Sequence, residues 1–217
     1  MHLTTLSFPQ IRLSRRDGHK LRGYFAGLFG AESDLFHNHG PDGKSIRRYP
    51  LIQYKILRGM PVLLGLEAGG RLLAARFLKI RQIEIDGISF PVLQKNMESE
   101  DYSVGVEDTL RQYRFLNPWM PLNEENYSKY ESADSAGKKR LLESILNRNI
   151  QAFLTAAGHF EKERIMVSLD VREKRVQFKN QPMRGFEGRF VSNVFLPDFV
   201  GLGKSVARGF GAIELVR

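Results

Sequence analysis

With 217 residues, 42% hydrophobic, 11% aromatic and 26% charged, the chain carries enough apolar side chain to build a packed core, which excludes wholesale disorder. It has no cysteine, so disulfides, thiolate nucleophiles, iron–sulfur clusters and cysteine-ligated zinc are excluded together. Its formal charge is +9, no basic-then-apolar leader opens it, and no run approaches the ~18 apolar residues of a membrane span; a soluble, cytoplasmic, globular protein with no membrane partner is expected.

The length suits one large domain or two small ones. Residues 3–8 read as a strand, prolonged past Pro9 by Ile11-Arg12-Leu13. After the Asp17-Gly18 turn, Leu21, Tyr24, Phe25, Leu28 and Phe29 recur at helical spacing, and Gly30 is placed to end that helix. Residues 32–49 are polar and carry Gly40-Pro41-Asp42-Gly43, which predicts a loop. Strands follow at 51–57 and 62–66, joined at Arg58-Gly59-Met60-Pro61. A second helix is expected over 68–78, its start weakened by Gly69-Gly70, and strands at 80–85 and 88–93 flank the Asp86-Gly87 turn. The order β-α-β-β-α-β is the ferredoxin-like pattern of RNA-recognition domains.

The second half follows this pattern only loosely. Residues 102–116 are mostly extended until Asn117-Pro118-Trp119-Met120-Pro121 breaks them. Asn123 caps a predicted helix, and Ser135 starts another with Leu141, Leu142, Ile145, Leu146 and Ile150 on one face and Lys138, Lys139 and Arg140 on the other. Strands are predicted at 165–171, 175–179, 186–196 and 212–216. No internal repeat and no Pro-, Gly- or Ser-rich linker is visible.

Charge is unevenly placed. Residues 1–60 carry net +6, residues 61–160 net −1 and residues 161–217 net +4. A fold that brings the two ends together concentrates positive potential, which attracts polyphosphate by releasing counterions. The segment Gly201-Leu202-Gly203-Lys204-Ser205-Val206-Ala207-Arg208-Gly209-Phe210-Gly211 lies in the basic C-terminal part. Its glycines let backbone N–H groups approach a phosphate, and Lys204, Ser205 and Arg208 add side-chain donors. Gly203-Lys204-Ser205 matches the end of a nucleotide P-loop, but the leading glycine position is Asp198 and only twelve residues follow Ser205, so a nucleotide hydrolase is rejected. The plainer alternative is a tight glycine turn feeding a last strand.

Residues 200–213, with their internal Lys-Ser and the Arg-Gly-Phe-Gly ending, resemble the signature of the CRISPR-associated endoribonucleases that process precursor CRISPR RNA. Lys20-Leu21-Arg22-Gly23-Tyr24, Leu35-Phe36-His37-Asn38-His39, Arg48-Tyr49-Pro50-Leu51-Ile52-Gln53-Tyr54-Lys55 and Gly65 are similar to one archaeal-and-bacterial branch of that family, the one with a divergent C-terminal domain. The helical block 123–153 is similar as well, so the likeness spans nearly the whole chain. The resemblance implies an α+β fold of two tandem ferredoxin-like domains, the second irregular. Residues 1–95 then form the domain with the His-bearing loop, and residues 96–217 the domain with the helical insertion and the glycine-rich loop. It also implies a catalytic histidine in the His-bearing loop, assisted by a tyrosine just before the strand at Pro50.

Metal-independent scission uses the ribose 2′-hydroxyl as nucleophile and needs a base, an acid and cationic help for the charged transition state. Histidine fills either proton-transfer role near neutral pH. His37 and His39 are two apart and project to one side if locally extended; His39 is preferred as catalyst, with His37 beside it, and Tyr49 positions or protonates through its hydroxyl. A His-x-His metal site would draw on Asp34 and Asp42, but nothing else in the chain has ligand spacing, so neither metal nor other cofactor is expected. His2, His19 and His159 are read as surface residues. Candidate RNA contacts are Arg15, Arg16, Lys20, Arg47, Arg48, Lys55, Lys204, Ser205 and Arg208 with Gly201, Gly203, Gly209 and Gly211, and bases can stack on Tyr49, Tyr54 or Phe210.

The expected function is cleavage of precursor CRISPR RNA within its repeats. The partners are CRISPR repeat RNA and, in an arrangement left open, a second copy of the chain or a CRISPR effector complex. The rivals are a catalytically inactive subunit that binds repeat or guide RNA, and an unrelated basic α+β domain contacting ribosomal or messenger RNA.

Overall fold

A computed structural model of the protein describes residues 1–38, 44, 46, 48–178 and 181–217. The chain separates into two units, Met1–Tyr102 with Val206–Gly209, and Ser103–Ser205 with Phe210–Arg217. Each has its own four-stranded antiparallel sheet.

The first unit runs β1 (His2–Ser7), α1 (Gly18–Phe29), β2 (Ile52–Leu57), β3 (Met60–Leu66), α2 (Ala68–Arg76), β4 (Gln82–Ile85), β5 (Ile88–Pro91) and β6 (Asn96–Asp101). Leu21, Phe25 and Phe29, spaced four residues apart, are the buried stripe of α1, as the periodicity predicts. Phe25 stacks on Tyr54 of β2 with ring centroids 5.9 Å apart and on Phe29 at 6.3 Å. Arg58 and Gly59 both take positive φ, +52° and +83°, the two-residue turn whose twist suits a tight hairpin. The sheet order β2-β3-β1-β6 is that of a ferredoxin-like domain.

One expected strand is replaced. Residues 80–93 supply β4 and β5, but these pair only with each other as a two-stranded sheet. The fourth strand of the main sheet is β6, antiparallel to β1 from His2↔Asp101 to Ser7↔Asn96. Its sequence, Asn-Met-Glu-Ser-Glu-Asp, is exposed throughout and shows no apolar alternation, so only its backbone pairing marks it as a strand.

The second unit runs β7 (Gly105–Phe115), α3 (Glu124–Ser132), α4 (Ser135–Ala156), β8 (Val167–Phe178), β9 (Gln181–Phe195) and β10 (Ile213–Leu215). Its order, β10-β7-β9-β8, repeats that of the first unit strand for strand. A helix pair fills the first crossover, and the glycine-rich segment stands where a second helix would be. Asn123 caps α3 reciprocally with Asn126 at 2.8 and 2.6 Å. The inner face of α4 (Leu142, Ile145, Leu146, Ile150, Phe153 and Leu154) is buried. Trp119, fully buried, stacks on Phe115 at 5.4 Å and donates its indole N–H to Asn149 at 3.1 Å.

The three strands expected over 165–196 are two longer ones, paired continuously from Val167↔Ser192 to Phe178↔Gln181. The charged run Arg172-Glu173-Lys174 reads as a break in the sequence. In the hairpin its charges are matched across the strands: Arg172 bonds Glu187 at 2.8 Å and Arg184 approaches Glu173 at 3.2 Å. Among the described residues no helix is long and apolar enough to cross a membrane.

Candidate active site

Residues 33–38 form a short, tightly bonded hub in the first unit. Ser33 caps the 3₁₀ turn Asp34–Phe36 through Leu35 N–H at 3.2 Å. The Asp34 carbonyl accepts from the N–H groups of His37, at 3.2 Å, and Asn38, at 2.6 Å. Phe36 packs against Phe29 at 5.3 Å, and its carbonyl accepts from the Tyr54 hydroxyl at 3.0 Å. Burial beside α1 pushes that phenol well above its usual range, so Tyr54 stays a neutral donor.

Asn38 turns the chain in the left-handed region, φ +53°, a conformation asparagine tolerates better than most residues. Its carbonyl accepts from Ile46 N–H at 2.9 Å and its side chain from Arg48 Nε at 3.3 Å. Arg48 also pairs with the Asp34 carboxylate at 3.0 Å. The loop that begins at Asn38 is thus clipped at its far end by Ile46 and Arg48.

Half-buried His37 places Nε2 3.3 Å from the Gly30 carbonyl. A carbonyl only accepts, so this nitrogen carries the proton. Tyr49, at the end of the loop, accepts from Gln53 Nε2 at 3.0 Å. Gln53 is itself buried and bonds Pro50 O at 3.2 Å, so the phenol is oriented from within the sheet.

Arg22, on α1, was not singled out in the sequence, although it lies in a motif that was. Its guanidinium donates to the His37 carbonyl. It is half-buried, and burial first, then the positive charge of Arg208, pulls its pKa below the ordinary arginine value. Burial does the same to Arg208. Residues 206–209 reach this place because Gly18, the first residue of α1, has no side chain: a Cβ there would lie 2.6 Å from the Arg208 carbonyl oxygen. The signal available in the sequence was a glycine one helical turn before an arginine, which leaves one stretch of the helix both bare and cationic.

The other predicted residues are dispersed. Arg15 and Arg16 are exposed in a 3₁₀ turn before α1. Lys20 is held by Asp17 at 3.0 Å and by Asp86, and these two partners, Asp86 foremost, raise its pKa. Lys55, expected at the RNA surface, is fully buried with no hydrogen-bond partner for Nζ among the described residues, and burial depresses its pKa to about 7. Tyr54 is likewise in the core and offers no ring face to a base. His39 and Arg47 lie outside the described residues.

In the glycine-rich segment Lys204 is exposed, and Gly203, Ser205, Gly209 and Gly211 take positive φ. Four of its amides are committed within the protein. Leu202 N–H goes to Gly211 O, Lys204 to Met120 O, Gly209 to Val206 O and Gly211 to Pro118 O, at 2.9 to 3.1 Å, and Gly201 bridges Ala212. Those four N–H groups are therefore taken and are not donors to a phosphate. The glycines shape the turn, and side chains carry its cationic chemistry.

Two four-stranded sheets of the same ferredoxin-like order, one in each unit, define a tandem ferredoxin-like protein. Models of the Cas6b N-terminal and C-terminal domains match residues 1–103 and 105–216, and the chain belongs to the Cas6b family. It is similar to the uncharacterized protein MJ0978 of Methanocaldococcus jannaschii, 32% identical over 137 residues, which make up 63% of this chain and 93% of the other. A crystal structure of Cas6b is 32% identical, covers 99% of each chain and superposes with a TM-score of 0.93. The CRISPR RNA processing endoribonuclease Cas6b is 32% identical, covers 100% of each chain and gives a TM-score of 0.80.

Proposed function

We propose that the protein is a cytoplasmic endoribonuclease that cleaves precursor CRISPR RNA within its repeats, without a metal, by attack of a ribose 2′-hydroxyl on the adjacent phosphorus. The observation that carries this reading is the full-length likeness to a CRISPR RNA processing endoribonuclease. The products are a cyclic phosphate and a 5′-hydroxyl. His39 serves as general base or acid, next to an Asn38 whose backbone is held by Asp34 and Ile46 and whose side chain is held by Arg48. His37, whose Nε2 is engaged with Gly30, supports the loop rather than exchanging protons through that nitrogen. Tyr49 assists as a donor whose oxygen is oriented by Gln53. Lys204, Arg208, Arg48, Arg15 and Arg16 offer cations to the phosphates.

The test is incubation with the host's repeat RNA in EDTA. A discrete product with a 5′-hydroxyl is expected, and a 2′-deoxy substitution at the cleavage position should block it. His39→Ala should lower cleavage by about 100-fold or more, the scale of general acid–base catalysis, with repeat binding kept within about threefold. Retained cutting by His39→Ala overturns the assignment of the histidine, and a requirement for a divalent cation overturns the metal-free mechanism. Tight repeat binding with no cleavage by the unaltered protein would make it the RNA-holding subunit instead.

A further inference from the structure

Asp34 bonds to both sides of the segment that runs from Asn38 to Arg48. Its backbone carbonyl accepts from the N–H groups of His37 and Asn38 at 3.2 and 2.6 Å, and its carboxylate accepts from Arg48 Nη2 at 3.0 Å. Arg48 Nε reaches the Asn38 side-chain oxygen at 3.3 Å, so one planar fork spans Asp34 and Asn38. Ile46 N–H closes on the Asn38 carbonyl at 2.9 Å. Asn38 thus has its N–H, its carbonyl and its side-chain oxygen all engaged. Its backbone stands at φ +53°, a conformation that persists in a residue other than glycine where the surroundings hold it. Asp34 is itself fixed, since it opens the turn that Ser33 caps. An isolated ion pair with side chains 33% and 41% exposed contributes little. A guanidinium forked between a carboxylate and an amide oxygen instead closes a ring in which each bond keeps the others in register.

We infer that Asp34 is a positioning residue: through Arg48 and Asn38 it clasps the two ends of the histidine-bearing loop and so orients the catalytic segment that begins after Asn38. The inference rests on the RNA-cleaving reading, in which His39 exchanges protons. The Asn38 carbonyl belongs to the planar peptide that joins it to the next residue, so a hold on that oxygen is passed on along the chain. Orientation of this kind matters to rate, since misplacing a reacting group by about 1 Å can cost about 100-fold. A carboxylate also repels the phosphates of RNA, so removing it favours binding while it loosens the loop. The two effects have opposite signs, and that separates orientation from charge.

The test uses Asp34→Ala, Asp34→Asn, Arg48→Ala and the double variant Asp34→Ala/Arg48→Ala. Three quantities are measured: repeat-RNA binding, single-turnover cleavage at saturating protein, and amide hydrogen exchange at Ile46 without RNA. Asp34→Ala should bind repeat RNA at least as tightly as the unaltered protein, yet cleave about fivefold or more slowly once saturated. Its Ile46 amide should exchange about fivefold or more faster. Asp34→Asn, which keeps an acceptor oxygen for Arg48 but not the charge, should fall between Asp34→Ala and the unaltered protein in both rates. Arg48→Ala also removes a cation and should weaken binding, so its coupling to Asp34 is read in the saturated rate. There the double variant should fall short of the product of the single losses by about threefold or more. A saturated rate for Asp34→Ala equal to that of the unaltered protein overturns the positioning role. Unchanged exchange at Ile46, or strictly multiplicative rate losses, overturns the clasp. Should Asp34→Ala fail to fold, Asp34→Asn takes its place in the cycle. Should the unaltered protein bind repeats without cutting, the function proposed above falls, and exchange at Ile46 alone decides the clasp.

Discussion

Gly18→Ala tests whether the glycine-rich turn docks on α1. Gly18 has ordinary helical dihedrals, φ −56° and ψ −35°, so alanine meets no backbone strain there. In an open helix position the exchange stabilises by about 0.5–1 kcal/mol. Gly23 and Gly27 of the same helix supply that baseline, since a Cβ at either meets nothing within 4 Å. At Gly18 the new methyl would stand 2.6 Å from Arg208 O and 3.4 Å from its carbonyl carbon. Backbone cannot rotate away as a side chain can, so the turn must shift, at a cost of about 1–3 kcal/mol, typical of overpacking. Gly18→Ala should therefore melt below Gly23→Ala and Gly27→Ala by roughly 2–12 °C, taking 2–4 °C per kcal/mol for a chain of this size. Thermal unfolding followed by circular dichroism reads the three variants side by side. If Gly18→Ala raises the midpoint as much as Gly23→Ala does, residues 206–209 do not rest on α1.

Lys55→Met replaces a fully buried ammonium, unpartnered among the described residues, by a side chain of similar length, and should stabilise the protein at pH 7 by about 1–4 kcal/mol, as removing buried charge often does. Burial lowers the folded pKa to about 7 from 10.5, so between those values the unfolded chain holds a proton that the folded one lacks. Stability should rise with pH across that window and carry the full penalty below about pH 7. The rise should vanish in Lys55→Met in urea titrations, while repeat affinity stays within about twofold, as expected for an amine that no RNA can touch; a large loss of affinity would return Lys55 to the binding surface. Tyr49→Phe removes the acceptor of Gln53 and should slow single-turnover cleavage by about tenfold or more with binding unchanged; an unaltered rate would leave Tyr49 no part in the chemistry.

Most of the first unit was legible in the sequence because its signals are local. The four-residue spacing of Leu21, Phe25 and Phe29 makes a helix wherever it is met, and Arg58-Gly59 and Asp86-Gly87 announce hairpins by their own dihedral preferences. The capping residue Asn123 and the apolar face of α4 are local signals too. The polar strand β6 was not legible, because nothing in Asn96–Asp101 prefers a strand until β1 offers it a free edge. The continuous β8–β9 hairpin was hidden for a related reason: its charged residues look like a loop until their opposite charges meet across the pair.

At the site, the histidine-bearing loop and the glycine-rich segment were each visible as compositions: a histidine pair among turn residues, and a basic stretch dense in glycine. Their relation to Arg22 was not, since residues 22, 37 and 208 share no sequence window. The sequence alone thus determined which segments carry proton-transfer and cationic groups, through residue type and short-range periodicity. Tertiary structure decided which of those groups meet. It withdrew Lys55 and Tyr54 into the interior, committed four of the glycine-loop amides to protein carbonyls, and brought the Arg22 guanidinium to the His37 carbonyl and Arg208 to the start of α1, because burial and long-range contact depend on what packs against each side chain rather than on its neighbours along the chain.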